Sequence, residues 1–174
     1  MCIRDSGRTV HSLAKLLCCY KNINLQLVSP DALQMPGELV ELLRSTGHQV
    51  TISDNLASSI AHVDIVYSTR IQEERFVSQQ EADLYRGKFR LNQSVYTKHC
   101  EPNTVIMHPL PRDSRAEANE LDSDLNENPN LAIFRQTDNG VVLRMALFAL
   151  VLDVVNLVDK SAKPVNWYTG SRFQ

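Results

Sequence analysis

The chain has 174 residues, of which 43% are hydrophobic and 22% are charged, and its formal net charge is −2. This composition is typical of a globular protein with one medium-sized domain, and the near balance of charge excludes a general nucleic-acid or anionic-membrane binder. The four cysteines form no CxxC pair, which favours a reduced, cytoplasmic protein without disulfides or a metal site.

The first six residues, MCIRDS, have the pattern of neither a signal peptide nor the start of a regular element. We therefore predict that residues 1–6 are artefactual and leave them out of the expected fold. Apolar residues at helical spacing then predict a helix that starts near Val10 and ends at residues 20–22.

The rest of the chain alternates between strand-like and helix-like patterns. The predicted strands lie at 24–29, 48–53, 63–68 and 104–107, with a short strand or extended segment at 131–134. The predicted helices lie at 36–47, at 56–60 behind an Asn55 cap, around Glu81, at 94–99 and at 139–157. A polar connection is expected at 113–130.

This alternation predicts an α/β fold, a doubly wound parallel sheet with helices on both faces. The expected domain covers residues 7–158 and is followed by a tail at 159–174. In such sheets ligands bind beyond the carboxyl ends of the strands, and polar motifs at predicted strand ends or helix starts are therefore the candidates for a site.

The first candidate motif is Gly7-Arg-Thr-Val-His-Ser12, which leads directly into a predicted helix. Backbone N–H groups at a helix start favour an anion, and Arg8 can add a bidentate clamp. The alternative is an ordinary helix start with Arg8 in solvent and Thr9 as the cap. The residues alone leave both interpretations open.

The second motif, Ser68-Thr-Arg-Ile-Gln-Glu-Glu-Arg75, follows the third predicted strand. Arg70 and Gln72 would face the same side of an extended chain and could bind one ligand. Glu73, Glu74 and Arg75 could then orient Arg70. The alternative is a solvated charged loop.

The third motif is His108-Pro-Leu-Pro-Arg112, which ends an apolar run of strand type. Its two prolines restrict the backbone, so the carbonyls around them become fixed acceptors that suit a ligand with N–H donors. One X-Pro bond of the turn is a candidate for the cis form. The alternative is a stiff exit from a strand.

Together, and in this order, these motifs resemble the aspartate-binding half of the aspartate carbamoyltransferase family. The matching stretches are GRTVHSL at 7–13, SPDALQMP at 29–36, VDIVYSTRIQEERF at 63–76, HPLPR at 108–112 and FRQTDNGVVLRMALFALVL at 134–152. The related ornithine enzymes resemble one another in an HCLP turn and an SMG loop. This chain has HPLP and no SMG, so the resemblance favours aspartate as the substrate.

The resemblance implies an enzyme that transfers the carbamoyl group of carbamoyl phosphate to L-aspartate in pyrimidine biosynthesis, with no cofactor or metal. It implies that aspartate is bound by Arg8, Thr9, Arg70 and Gln72. The backbone carbonyls of Pro109 and Leu110 would bind the carbamoyl NH₂ group, and the Leu110–Pro111 bond would be cis. The residues expected to support these groups are Glu74, Arg75, His108, Pro111 and Arg112.

The same resemblance implies that part of the enzyme is missing. Family members are roughly twice as long, as two α/β domains require, and their first domain holds carbamoyl phosphate with an S-T-R-T-R loop absent here. We therefore expect a C-terminal fragment, inactive alone, whose homotrimer forms through the missing N-terminal domain. A regulatory or dihydroorotase partner is compatible with this.

Two local departures lead to further expectations. The strand that precedes GRTVHS in relatives has no counterpart in MCIRDS, so we expect the sheet to lack one inner strand. After HPLPR the chain reads DSRAEAN, where many relatives have V-D/N-E-I. This departure leaves open how the loop contacts Arg70.

A second class of function stays open beside the transferase fragment. The chain can instead be a stand-alone domain that binds a dicarboxylate or amino acid, or a non-catalytic partner of pyrimidine-pathway enzymes. The DNA upstream of Gly7 separates the two: an open frame that encodes a strand and an S-T-R-T-R loop supports the fragment, and an in-frame stop supports the stand-alone domain.

Overall fold

The structure, a computed structural model, describes residues 1–4, 7–70, 78–85, 87–113, 115, 119–161 and 163. They divide into two compact units, one that ends at Ala132 and one that begins at Ile133. The strands are β1 (Cys2–Arg4), β2 (Asn24–Val28), β3 (Gln49–Ser53), β4 (Ile65–Tyr67) and β5 (Val105–Met107). The α-helices are α1 (Arg8–Leu17), α2 (Gly37–Ser45), α3 (Leu56–Ser59), α4 (Gln79–Tyr85), α5 (Gln93–His99), α6 (Ile133–Val151) and α7 (Val155–Ser161).

The first unit contains a five-stranded parallel sheet in the order β3-β2-β1-β4-β5. The predicted α/β class with a parallel sheet is confirmed. The strand order reverses direction between β1 and β4, so the crossover helices on the two sides of this point cover opposite faces of the sheet. The crevice at this reversal, beyond the carboxyl ends of β1 and β4, is the place where such sheets bind ligands.

The prediction that the sheet lacks an inner strand is wrong. Cys2–Arg4 form the central strand β1, in which Ile3 pairs with Leu27 of β2 on one side and with Tyr67 of β4 on the other. Cys2 and Ile3 are each 1% exposed. Residues 2–4 therefore cannot be left out of the fold, because a central parallel strand is paired along both edges and covered on both faces.

One cluster of the core of the first unit lies between the sheet and the helices that follow β1 and β2. Helix α1 buries Val10 and Ala14, and α2 buries Val40 and Leu43. With apolar residues of β1, β2 and β4 they form one cluster: Ile3, Val10, Ala14, Leu25, Leu27, Met35, Val40, Leu43 and Tyr67. This cluster fixes the start of α1 relative to the ends of the central strands.

The predicted Asn55 cap is confirmed, because the Asn55 side chain accepts the N–H of Ser58 at the start of α3 (3.1 Å). A cap not predicted from the sequence is at Asn92, whose side chain accepts the N–H of Val95 at the start of α5 (2.8 Å). Gly47 follows α2 with φ of 91°. This is the left-handed conformation that glycine adopts at low cost after a helix.

The predicted strand at 131–134 and the helix at 139–157 differ from the structure. Leu131 forms one isolated bridge with Ile106, and α6 already begins at Ile133. Asp153, with φ of 54°, interrupts the helical run, so residues 155–161 form the separate helix α7. The polar connection contains a short 3₁₀ helix at Ser123–Glu127, and a second one lies at Asp31–Leu33.

The second compact unit contains α6 and α7. Many of its apolar side chains are exposed, among them Leu143, Phe148 and Val151 at 62%, 67% and 80%. Over the described part of the chain, no helix combines the length and the apolar character that crossing a bilayer requires. The predicted limits of the domain, 7–158, and of the tail, 159–174, stay a prediction.

Candidate functional site at the carboxyl end of the sheet

Residues from the three candidate motifs line one cavity of about 250 Å³. We call it the carboxyl-end cavity, and its lining is 7–10, 69–70 and 108–111. These segments follow β1, β4 and β5, the three neighbouring strands around the point where the strand order reverses. Motifs separated by up to a hundred residues therefore meet because parallel strands end at the same edge of a sheet.

One wall of the cavity is the start of α1. Gly7 is the N-cap residue, with no side-chain cap, and Arg8 and Thr9 are exposed beside it. The first turn contains no acidic residue. Its unpaired backbone N–H groups and the positive end of the helix dipole therefore add to the charge of Arg8 and favour an anionic ligand.

The opposite wall follows β4. Ser68 donates its backbone N–H to the carbonyl of Met107 (2.9 Å), which continues the pairing of β4 with β5. Thr69 is 6% exposed, whereas the Arg70 side chain is exposed at the cavity. Of the other residues predicted in this motif, Gln72, Glu73, Glu74 and Arg75 lie outside the described residues.

The floor of the cavity is the turn after β5. The Leu110–Pro111 bond is cis, as predicted, and Leu110 has φ of 56°. The backbone N–H of Leu110 donates to Nδ1 of His108 (2.9 Å). The side chain of the first residue of the turn, His108, therefore accepts a hydrogen bond that closes the turn. Pro109 and Leu110 both line the cavity.

Arg112 is directed to a different part of the unit. Its Nη1 donates to Asn126 Oδ1 (3.0 Å) and to the carbonyl of Asp122 (3.3 Å). Arg112 does not line the carboxyl-end cavity. It connects the end of the turn to the 3₁₀ helix at Ser123–Glu127 and to the residue that precedes this helix.

Sequence reasoning missed two acidic residues beside the turn, Asp113 and Glu120. Glu120 Oε1 lies 2.7 Å from His108 Nε2, and both side chains are almost completely buried. Asp113 accepts bonds from the guanidinium of Arg115, with Nη2 to Oδ2 at 2.6 Å. Both acids lie in the polar connection, where no periodicity distinguishes a buried acid from a solvated one, so no sequence pattern could identify them.

The electrostatics of Asp113 connect this loop to Arg70. Hydrogen bonds from Arg115, with smaller contributions from the charges of Arg115 and Arg70, lower the pKa of Asp113 to about 2, against the opposing effect of burial. The guanidinium of Arg70 is therefore near enough to favour the Asp113 carboxylate. The DSRAEAN segment thus places the negative charge of Asp113 near Arg70, a residue predicted to bind the substrate.

A larger cavity among the described residues, about 490 Å³, is lined by residues 54–57 and by residues around α5, and none of these is a predicted site residue. Among the described residues, no group of three or more His, Cys, Asp or Glu could hold a metal ion. The carboxyl-end cavity is distinguished by its chemistry, two arginines opposite a turn with fixed carbonyls, and not by its size.

Comparisons with known proteins point to one family. Residues 1–151 match the family described as aspartate/ornithine carbamoyltransferase, Asp/Orn binding domain. The aspartate carbamoyltransferase catalytic subunit of Saccharophagus degradans is 70% identical over 167 residues, which are 96% of this chain and 50% of that protein. The chain therefore spans about half the length of the curated relatives it matches.

Solved structures show the same likeness. The catalytic subunit of M. jannaschii aspartate transcarbamoylase superposes with a TM-score of 0.75 at 31% identity, covering 87% of this chain and 48% of that one. Aspartate transcarbamoylase from Trypanosoma cruzi in complex with aspartate and phosphate gives a TM-score of 0.69 at 31% identity, covering 85% and 46%. The matches again cover about half of each longer chain.

Proposed function

Since the chain belongs to the aspartate/ornithine carbamoyltransferase family and matches its Asp/Orn binding domain, we propose that it is the aspartate-binding part of an aspartate carbamoyltransferase. In the proposed reaction the amino nitrogen of L-aspartate bonds to the carbamoyl carbon of carbamoyl phosphate. The bond from that carbon to the phosphate oxygen breaks, and the nitrogen loses a proton. The products are N-carbamoyl-L-aspartate and phosphate, in pyrimidine biosynthesis.

One observation supports this proposal most strongly: Arg8 and Arg70 border the same cavity as the turn at 108–111. A dicarboxylate such as aspartate calls for two cationic forks, because each guanidinium can bind one carboxylate through two parallel hydrogen bonds. Thr9 and Gln72 complete the proposed aspartate site.

The turn supplies the second half of the proposed chemistry. The carbonyls of Pro109 and Leu110 would accept the N–H groups of the carbamoyl moiety and hold its carbon in front of the aspartate nitrogen. No side chain needs to form a covalent intermediate. The rate would come from the orientation of two bound substrates and from fixed dipoles at the developing charge.

The remaining half of the relatives' length is the proposed location of the carbamoyl phosphate site. We propose that the complete enzyme is a cytoplasmic homotrimer whose contacts lie in that half, and that the chain by itself does not turn over. Relatives that this chain resembles were crystallised with aspartate, carbamoyl phosphate or phosphate, which supports the substrate pair.

A hybrid enzyme tests the proposal. This chain replaces the matching half of the Saccharophagus degradans enzyme, and carbamoyl aspartate formation is measured with and without the change Arg70→Ala. A hydrogen bond to a charged group is worth about 1.5–3 kcal/mol, and the fork can make two of them, so kcat/KM for aspartate should fall at least about a hundredfold.

The matched control is Arg44→Ala. Arg44 lies on α2, is exposed and donates to the carbonyl of Val50 (3.4 Å), away from the carboxyl-end cavity. This variant should keep the hybrid's kcat/KM. A hybrid that is folded and trimeric but forms no carbamoyl aspartate would refute the proposed function, and dicarboxylate binding without turnover would instead favour a stand-alone binding domain.

A further inference from the structure

The turn at the carboxyl-end cavity rests on a buried acid that no motif of the sequence includes. The side chains of His108 and Glu120 are 1% and 0% exposed, and Nε2 of the first lies 2.7 Å from Oε1 of the second. A buried carboxylate is costly unless donors surround it. The 2.7 Å separation places Nε2 of His108 within hydrogen-bond distance of this carboxylate.

The hydrogen bond on the other ring nitrogen assigns the state of His108. Leu110 donates its backbone N–H to Nδ1 (2.9 Å), so Nδ1 has no proton. The ring proton is therefore on Nε2, which faces the Glu120 carboxylate. Both nitrogens of His108 are engaged within the protein, and the imidazole is neutral. Although His108 lines the cavity, it is not free to accept a proton from a substrate.

Glu120 also contacts the far end of the turn. Its two carboxylate oxygens each lie 3.3 Å from the backbone nitrogen of Asp113, which donates to them. The same carboxylate therefore touches residue 108 at the start of the segment and residue 113 at its end. Between them lie the carbonyls proposed to bind the carbamoyl group.

The backbone around Glu120 is held in place by main-chain hydrogen bonds to Leu91. Leu91 donates its N–H to the carbonyl of Glu120 (2.8 Å), and Asp122 donates its N–H to the carbonyl of Leu91 (2.9 Å). Leu91 and Leu121 are 1% and 2% exposed. The backbone that carries the Glu120 carboxylate is thus hydrogen-bonded and lies beside buried residues, and it is not part of a solvated loop.

The turn needs such support because Leu110 has a left-handed backbone, with φ of 56°. A left-handed backbone is unfavourable for any residue with a Cβ, so it persists only where several surrounding contacts hold the backbone in place. The bond from Leu110 N–H to His108 Nδ1 is the contact that specifies this conformation, and it exists only in the tautomer that Glu120 favours.

We propose that Glu120 is a positioning residue of the proposed transferase: it fixes the Nε2–H tautomer of His108, and through it the Leu110 N–H and the carbonyls of the turn. The inference rests on the proposed function for its catalytic consequence. The arrangement of His108 and Glu120 does not depend on that function and can be tested separately.

The first test is a nitrogen NMR spectrum of the isotope-labelled chain, with His108→Asn used to identify the His108 signals. The expected result is an unprotonated Nδ1 and a protonated Nε2. A protonated Nδ1, either as the other tautomer or as imidazolium, would overturn the proposal whether or not the hybrid enzyme is active.

The second test is kinetic and uses the hybrid enzyme. Glu120→Gln keeps the shape of the side chain but removes its charge and one acceptor. Because misplaced carbonyls affect the reacting complex, kcat should fall on the order of tenfold to a hundredfold, with a smaller rise in aspartate KM than Arg70→Ala causes. A kcat per folded enzyme equal to that of the unchanged hybrid would overturn the proposal.

A matched pair at His108 keeps the test decisive if Glu120→Gln fails to fold. Asn and Leu have nearly the same shape, but only the Asn oxygen can accept the Leu110 N–H in place of Nδ1. His108→Asn should therefore retain more of kcat than His108→Leu, and Glu120→Gln should add little in the His108→Leu background, since the two residues act as one unit. Equal kcat values for the pair, or full additivity, would contradict the proposal.

If the unchanged hybrid forms no carbamoyl aspartate, the proposed function fails first. The NMR result then still decides whether Glu120 sets the tautomer of His108. The two failures are therefore distinguishable.

Discussion

Asp113 and Arg115 form a charged pair beside the carboxyl-end cavity, and this pair links the folded state to pH. Hydrogen bonding from Arg115 is the main cause that lowers the pKa of Asp113 from 3.8 to about 2. A carboxyl with a depressed pKa in the folded state contributes stability above its unfolded pKa. That contribution is lost as the pH falls through the folded pKa.

We expect Asp113→Asn to remove this pH-linked part of the stability. Between neutral pH and about pH 2 the wild-type chain should lose more free energy of unfolding than the variant, with the difference concentrated below the usual Asp pKa of 3.8. Urea unfolding at a series of pH values measures it, and Asp54→Asn, which changes an exposed carboxyl, is the control. Parallel curves for wild type and Asp113→Asn would show that the pair does not stabilise the fold.

The site residues that could be predicted from the sequence were those in recognisable motifs at the ends of strands or at the start of a helix. Arg8, Arg70 and the HPLPR turn follow strand ends or open a helix, and parallel-sheet geometry then brings them together. Glu120 could not be found in this way, because a buried acid in a polar connection has the same local pattern as a solvated one. Its role depends on a contact with His108, twelve residues earlier in the chain.

Among the elements, β1 departs most from the sequence-based expectation. Three residues are too few for the alternation that identifies a strand, and their hydrogen-bond partners lie more than twenty residues away in β2 and more than sixty away in β4. The elements predicted well were those with local signals, such as the Asn55 cap of α3. The extent of α6 was predicted less well, because its apolar residues show no clear face.

We expect Ile3→Ala to destabilise the chain strongly, because Ile3 is 1% exposed and belongs to the main core cluster. Truncation of a buried isoleucine costs about 2–5 kcal/mol. The matched control is Ile52→Ala in the edge strand β3, where the side chain is 40% exposed. Urea unfolding of both variants measures the difference, and equal losses would mean that residues 2–4 do not form the central strand.

At the scale of the whole molecule, the exposed apolar side chains of α6 and α7 are the feature most able to make the chain associate. Phe148 and Val151 are 67% and 80% exposed, and the chain spans about half the length of its curated relatives. Contiguous exposed apolar surface promotes association. A sheet without its central strand would also expose unpaired backbone groups and promote association. Because β1 is present between β2 and β4, the sheet has no such gap.

We therefore expect the isolated chain to associate as its concentration rises, as measured by light scattering after size-exclusion chromatography. Phe148→Lys combined with Val151→Glu should shift the chain toward monomer. The control is Leu16→Lys, which changes an exposed apolar residue of α1 (58% exposed) outside the second compact unit. A wild-type chain that stays a monodisperse monomer at all concentrations would contradict this expectation.

The central claim is that the carboxyl-end cavity is the aspartate site of a carbamoyltransferase. A crystal structure of the hybrid enzyme with a bisubstrate analogue, a phosphonate joined to aspartate, tests it most directly. We expect the two aspartate carboxylates to bind Arg8 and Arg70, and the amide portion of the analogue to lie within hydrogen-bond distance of the turn at Pro109 and Leu110. An analogue whose carboxylates lie in another cavity, with Arg8 and Arg70 still in solvent, would contradict the account.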